Sequence, residues 1–143
     1  IGSKSCFHDY FEEVSQNHPQ LIFTSDAIPF NEVLRLQKDA SVNVILEAKG
    51  FASPFLPGKF PHCIMAQKPI LLLGPYYSES RRLLGNDYPY WSEIDNTENI
   101  LQSLVKLYTI WKENIGHTKR DYARLNEYLS NVELGNVLAN TKK

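Results

Sequence analysis

The run from Ser53 to Leu73 constrains the fold more than any other part of the chain. It follows one apolar strand pattern, Val42-Asn43-Val44-Ile45-Leu46. It opens a short helix and runs straight into a second apolar strand, Pro69-Ile70-Leu71-Leu72-Leu73. A near-continuous β-branched run such as Val42–Leu46 predicts a strand buried on both faces, as in a parallel sheet. Strands that alternate with helices predict right-handed βαβ units. In such sheets ligands bind beyond the C-terminal strand ends.

The remaining segments extend that alternation. Phe7, Tyr10, Phe11 and Val14 recur at helical spacing, and Pro19 ends this helix. Leu21-Ile22-Phe23-Thr24 reads as a short strand. Pro29 then sits at the start of a helix over Phe30 to Lys38. Lys49 to Pro57 is a loop rich in Gly, Pro and Ser, followed by a short helix over Lys59 to Gln67. Ser78 to Leu84 is another, stopped by Gly85-Asn86. Tyr88 to Ile94 fits a short edge strand, because Pro89 argues against a central place. Asp95 and Glu98 form a capping-box pattern. They open a long helix with Ile100, Leu101, Leu104, Val105, Tyr108 and Trp111 on an expected core face. Gly116 breaks it, Thr118 and Asp121 suggest a new start, and the last helix carries Tyr122, Leu125, Leu129 and Val132.

The 143 residues suit one domain with a real core. We read residues 1–143 as a single α/β domain, with 117–143 as its C-terminal helix. Fifteen basic residues stand against sixteen acidic ones. Lys and Arg form no stripe, so nucleic acid is not an expected partner. Cys6 and Cys63 show neither CxxC nor zinc spacing, and no metal site is expected. No apolar run is long enough to span a bilayer. Ile1-Gly2-Ser3 reads like a strand end turning into a helix, so the chain is expected to be a piece of a larger protein.

Three loops converge on one rim of the expected sheet: Ser25 to Pro29, Glu47 to Lys59 and Gly74 to Ser78. Pro57-Gly58-Lys59 opens a helix there. A helix start offers unpaired N–H groups and partial positive charge, which suit a phosphate. Gly58 admits close approach of a ligand, and Lys59 adds a full charge. Glu47 stands at a strand end, where it contacts ligand or merely pairs with Lys49. Phe51 and Ser53 lie on the rim loop, where a sugar would sit. His62 follows Lys59 on the helix, as a ligand contact or an ordinary packed histidine. Cys63, without an activating neighbour, reads as packing. Arg81-Arg82 reads as a solvated helix face, with a phosphate contact as the lesser reading, and Tyr76, Tyr77, Tyr88, Tyr90 and Trp91 as core or an interdomain surface ahead of sugar stacking.

Taken in order, these pieces resemble the C-terminal, nucleotide-sugar-binding domain of GT-B glycosyltransferases of the group 1 pattern. The likeness runs over roughly residues 20 to 110. It rests on Leu21-Ile22-Phe23-Thr24 followed by Ile28-Pro29-Phe30-Asn31-Glu32-Val33. It continues through Ala40-Ser41-Val42-Asn43-Val44-Ile45-Leu46, Pro57-Gly58-Lys59 and Gln67-Lys68-Pro69-Ile70-Leu71. The resemblance implies a Rossmann-like parallel sheet flanked by helices, the C-terminal half of a GT-B fold. It implies a UDP- or GDP-linked sugar as substrate, with no separate cofactor, and transfer of that sugar to a glycan or lipid-linked acceptor.

The same likeness implies that backbone groups near Ile28 read the base. Gly58 and Lys59 would hold the diphosphate, and His62 or Glu47 the ribose or sugar. The acceptor and most catalytic groups would lie on a separate N-terminal domain, so this piece alone is expected to be inactive and no catalytic residue is assigned within it. A cytoplasmic protein is implied, peripheral to the inner membrane face through the missing part. His62 stands where the family has a ribose-binding Glu, Gly58 replaces its Ser, and Gln67 replaces a small residue. A non-catalytic nucleotide-sugar-binding module and a GT-B-shaped sugar-nucleotide epimerase are the alternatives.

Overall fold

A computed structural model describes residues 7–24, 27–114 and 119–130. The expectations for Ile1-Gly2-Ser3, Ser25, Gly116, Thr118, Val132 and most of the 117–143 helix lie outside the described residues. The chain divides into two units, residues 1–35 and 36–143.

In the first unit, helix α1 (His8–Asn17) carries the expected amphipathic pattern. The rings of Phe11 and Phe23 pack with centroids 4.7 Å apart. Leu21 to Thr24 is not a strand. It is irregular, and Ile22 is 87% exposed. Strand propensity needs a partner strand to be realised, and these residues have none among those described. Helix α2 (Phe30–Asp39) starts one residue after Pro29, and the boundary between the units falls inside it.

The second unit holds a mixed α/β arrangement around a small parallel sheet. Strands β1 (Asn43–Leu46), β3 (Ile70–Leu73) and β5 (Trp91–Ser92) lie in the order β1-β3-β5. All pairs are parallel, with Ile45 beside Leu72 and Leu72 beside Trp91. Between β1 and β3 come the two-residue β2 (Ala52–Ser53) and helix α3 (Phe60–Met65). Between β3 and β5 come β4 (Tyr77–Ser78) and helix α4 (Glu79–Leu84). β2 and β4 form a separate parallel ladder, Ala52 with Tyr77 and Ser53 with Ser78. This ladder ties the two rim loops together. Helices α5 (Thr97–Glu113) and α6 (Ala123–Tyr128) follow.

Side chains alternate across a strand, which assigns two faces. Asn43, Ile45 and Glu47 share one face with Ile70, Leu72 and Trp91. Ile45, Ile70 and Leu72 belong to one core cluster with Phe60, Cys63 and Ile64 of α3. The central strand β3 is buried throughout, as its apolar run demands. β1 is not buried on both faces as expected: Val44 and Leu46 are exposed. It is an edge strand among the described residues, so only one face is covered.

α5 packs against β5 and β3. Ser103 and Leu107 are its buried members, with Ile100 and Ile110 against the core. The expected core face is therefore misplaced. Leu101, Leu104, Val105, Tyr108 and Trp111 stand exposed. Its N-cap is Asn96, whose side chain accepts from the Asn99 amide, not Asp95. Asp95 instead pairs with Lys49 at 2.6 Å. α3 is shorter than expected and ends on Gln67 in the left-handed region, φ 55°.

Candidate functional site

The loops that follow β1 and β3 line a cleft of about 620 Å³. Its walls come from the β2–β4 ladder and the start of α4: Ser53, Tyr76, Tyr77, Ser78, Arg81 and Arg82 among them. Ser78 caps α4 by accepting a hydrogen bond from the Arg81 amide at 3.1 Å. That cap fixes the direction in which Arg81 leaves the helix.

Arg81 is not solvated, as its sequence neighbourhood suggested; it is 8% exposed. Its guanidinium lies 4.1 Å from the Tyr76 ring centre and 4.4 Å from that of Trp91. The two rings stand at 81° to each other, so the guanidinium occupies the corner between them. Such contacts offset part of the cost of burying a cation. Nη1 donates to Asn86 Oδ1 at 3.3 Å and Nη2 to the Asn86 carbonyl at 3.5 Å. Arg82 differs: Glu79 binds its guanidinium at 2.7 and 2.6 Å.

Glu47 closes the end of β1. It is buried, and Ser80 Oγ donates to its Oε1 at 2.5 Å. Its Oε2 is buried with no hydrogen-bond partner among the described residues. Glu47 does not pair with Lys49. Gly74 is required beside it, because a Cβ there would stand 2.9 Å from Glu47 Cβ. Glu47 thus braces the rim from below.

The other expected site residues are distributed. Ser53 lines the cleft. Phe51 is exposed, with its ring 5.2 Å from that of Tyr77 on the cleft wall. Gly58 and Lys59 are exposed on the opening turn of α3, outside the cleft lining. A Cβ at Gly58 would meet nothing within 4 Å. The amides of Gly58 and Lys59 have no acceptor among the described residues. The next two positions offer less: the Phe60 amide donates to the Pro57 carbonyl at 2.8 Å, and Pro61 has no N–H. His62 is half-buried on α3. Ile28 belongs to the first unit, half-buried just before α2. Cys63 is buried as packing, and burial pushes its thiol up.

A second cleft, of about 730 Å³, lies between α4 and α6. It sits by Tyr88, whose hydroxyl bonds both backbone groups of Ile70, the first residue of β3. It therefore lies at the N-terminal end of the sheet, away from the rim that ligands favour.

Sequence reasoning preferred a solvated face for Arg81, which is buried. The signal was present as aromatics at Tyr76 and Trp91 flanking a basic pair, but only the fold brings them together. No group of three or more His, Cys, Asp or Glu among the described residues is placed to hold a metal ion. No described helix is long and apolar enough to cross a membrane. The fold is a mixed α/β arrangement around a small parallel sheet flanked by helices. The chain matches no protein-family model, no curated protein and no solved structure.

Proposed function

We propose that the chain is the donor-binding part of a GT-B-type glycosyltransferase, built on a Rossmann-like sheet, that grips a UDP- or GDP-linked sugar. The observation that carries this reading is positional. The Val42–Leu46, Pro57-Gly58-Lys59 and Ile70–Leu73 parts of the pattern fall in order on a parallel sheet, and the loops after β1 and β3 line an open cleft. The unspent Gly58 and Lys59 amides and the Lys59 charge offer phosphate oxygens a seat, and the charge neutralises the diphosphate as the sugar leaves. Phe51 and Ser53 lie beside the sugar. Glu47 acts as a brace, since its carboxylate is already engaged by Ser80.

Chemistry needs a second, acceptor-binding domain that closes over the donor and excludes water. The whole enzyme would transfer the sugar to a glycan or lipid-linked acceptor at the cytoplasmic membrane face. Imidazole at His62, where the resemblance places a Glu, favours a second reading as a non-catalytic nucleotide-sugar-binding module. Turnover of a donor by the full-length protein separates the two.

Calorimetric titration with UDP, GDP and their sugars tests the reading. One nucleoside diphosphate should bind, and Lys59→Ala should weaken it about tenfold. If neither nucleotide nor any of their sugars binds, the donor assignment is wrong. If Lys59→Ala binds as tightly as the wild type, Lys59 leaves the site.

A further inference from the structure

Among the described residues, Arg81 and Glu47 are the charged side chains that the fold buries. No carboxylate pairs with Arg81 among those residues. Its two hydrogen bonds are long and go to neutral acceptors of one residue, Asn86. A guanidinium carries more N–H groups than these two bonds use. A buried charge of this kind is costly unless something completes it. The aromatic corner offsets part of that cost, but it acts through the π-faces of the rings and supplies no hydrogen-bond acceptor.

The surroundings decide what the missing acceptor is. Arg81 lines the rim cleft. The neighbouring cation there, Arg82, is already neutralised by Glu79. The charge left unmatched in the cleft is therefore that of Arg81, and it favours an anion. A volume of about 620 Å³ accommodates more than a simple ion. Tyr76 and Tyr77, their rings 5.0 Å apart, supply an aromatic wall beside the guanidinium.

We propose that Arg81 is a phosphate receptor of the rim cleft, binding the donor's diphosphate through the guanidinium edge that Asn86 leaves unused. This rests on the nucleotide-sugar reading above. Planar N–H pairs match phosphate oxygens two at a time, which a lysine cannot reproduce. Ser53 and Tyr77 line the same cleft as Arg81.

The test is calorimetric titration of the whole chain with inorganic pyrophosphate and with UDP. Wild type is compared with Arg81→Gln and Ser53→Asp. Ser53→Asp leaves the Arg81 corner intact and adds a competing carboxylate to the cleft lining. Both variants should bind pyrophosphate and UDP about tenfold or more weakly, with the circular dichroism of Ser53→Asp unchanged. If Arg81→Gln does not fold, Ser53→Asp decides alone. Wild-type failure to bind pyrophosphate, or undiminished binding by folded variants, overturns the assignment. Pyrophosphate binding that depends on Arg81, with UDP no tighter, leaves Arg81 standing and removes the nucleotide reading. UDP binding that neither variant alters does the reverse.

Discussion

The hydroxyl of Ser80 donates to Glu47 Oε1 at 2.5 Å, joining the first turn of α4 to the end of β1 across sheet positions that Gly74 leaves empty. Both side chains are buried. This bond ties the end of β1 to the helix whose Arg81 and Arg82 line the cleft, so its loss should loosen that wall. Ser80→Ala leaves the buried carboxylate without its donor and should cost about 1–3 kcal/mol. Glu47→Gln keeps an acceptor for Ser80 and removes a buried charge, so it should cost less. Urea midpoints of the two variants check the order; a smaller loss for Ser80→Ala contradicts it.

Gly74 is set by the same carboxylate. An added Cβ would meet Glu47 Cβ and Oε2 at 2.9 Å each. One of these atoms, Cβ, is the stem of Glu47, which cannot swing away as a flexible tip could. Gly74→Ala should therefore cost about 1–3 kcal/mol by overpacking. Combined with Glu47→Gly, which removes the clashing Cβ, the Gly74→Ala substitution should cost much less than alone. A double-mutant cycle reads this coupling directly. Strict additivity would show that the two positions do not touch.

Tyr88 plays the corresponding part at the other end of β3. Its hydroxyl accepts from the Ile70 amide at 3.0 Å and donates to the Ile70 carbonyl at 2.7 Å. Its proton being committed, the Tyr122 hydroxyl is the donor in the 3.2 Å contact between them. Tyr88→Phe removes all three bonds with little change in volume. Buried groups left unpaired are the costly outcome, so a loss of about 1–3 kcal/mol is expected. Tyr122→Phe strands no backbone group and should cost less. Thermal melts of the two variants check the difference.

Much of the sheet was legible because it is written in short-range pattern. The Ile70–Leu73 run, the Ser78 and Gly85 limits of α4 and the edge place of Trp91 all follow from local chemistry. What escaped depends on distant partners. Leu21 to Thr24 has strand composition but no described strand beside it. The β2–β4 ladder is two residues long, too short to leave a period. Arg81 is buried only because Tyr76 and Trp91 arrive from either side of its helix. In α5 the apolar positions cover more than one face, so spacing alone does not choose between Leu104 and Leu107.

That ambiguity yields a direct measurement. Leu107 is 2% exposed and belongs to the core, whereas Leu104 is 46% exposed. Leu107→Ala should cost about 2–5 kcal/mol through lost contact and a residual cavity. Leu104→Ala should stay within about 0.5 kcal/mol. Equal losses in urea unfolding would mean that the Leu101, Leu104, Val105 and Tyr108 face is covered in solution.

Alkaline pH should unfold the second unit through its buried acids. Burial raises the Cys63 thiol above its ordinary 9.0. Burial also raises the Tyr88 phenol above 10.0, against the lowering effect of its bonds to Tyr122 and Ile70. Tyr122 is pushed well up by burial, with Tyr88 adding to it. Each group is neutral in the folded state at a pH where the unfolded chain has begun to ionise. The unfolded state therefore binds fewer protons, and stability falls as pH rises. The contribution is fully present below the unfolded values and is lost as pH climbs from about 9 through the raised folded values. Urea midpoints should be flat across neutral pH and decline beyond the thiol's ordinary value. Cys63→Ala should delay the onset of that decline, and Tyr88→Phe should flatten its later part. A midpoint that rises with pH in this range would show that these groups are ionised within the fold.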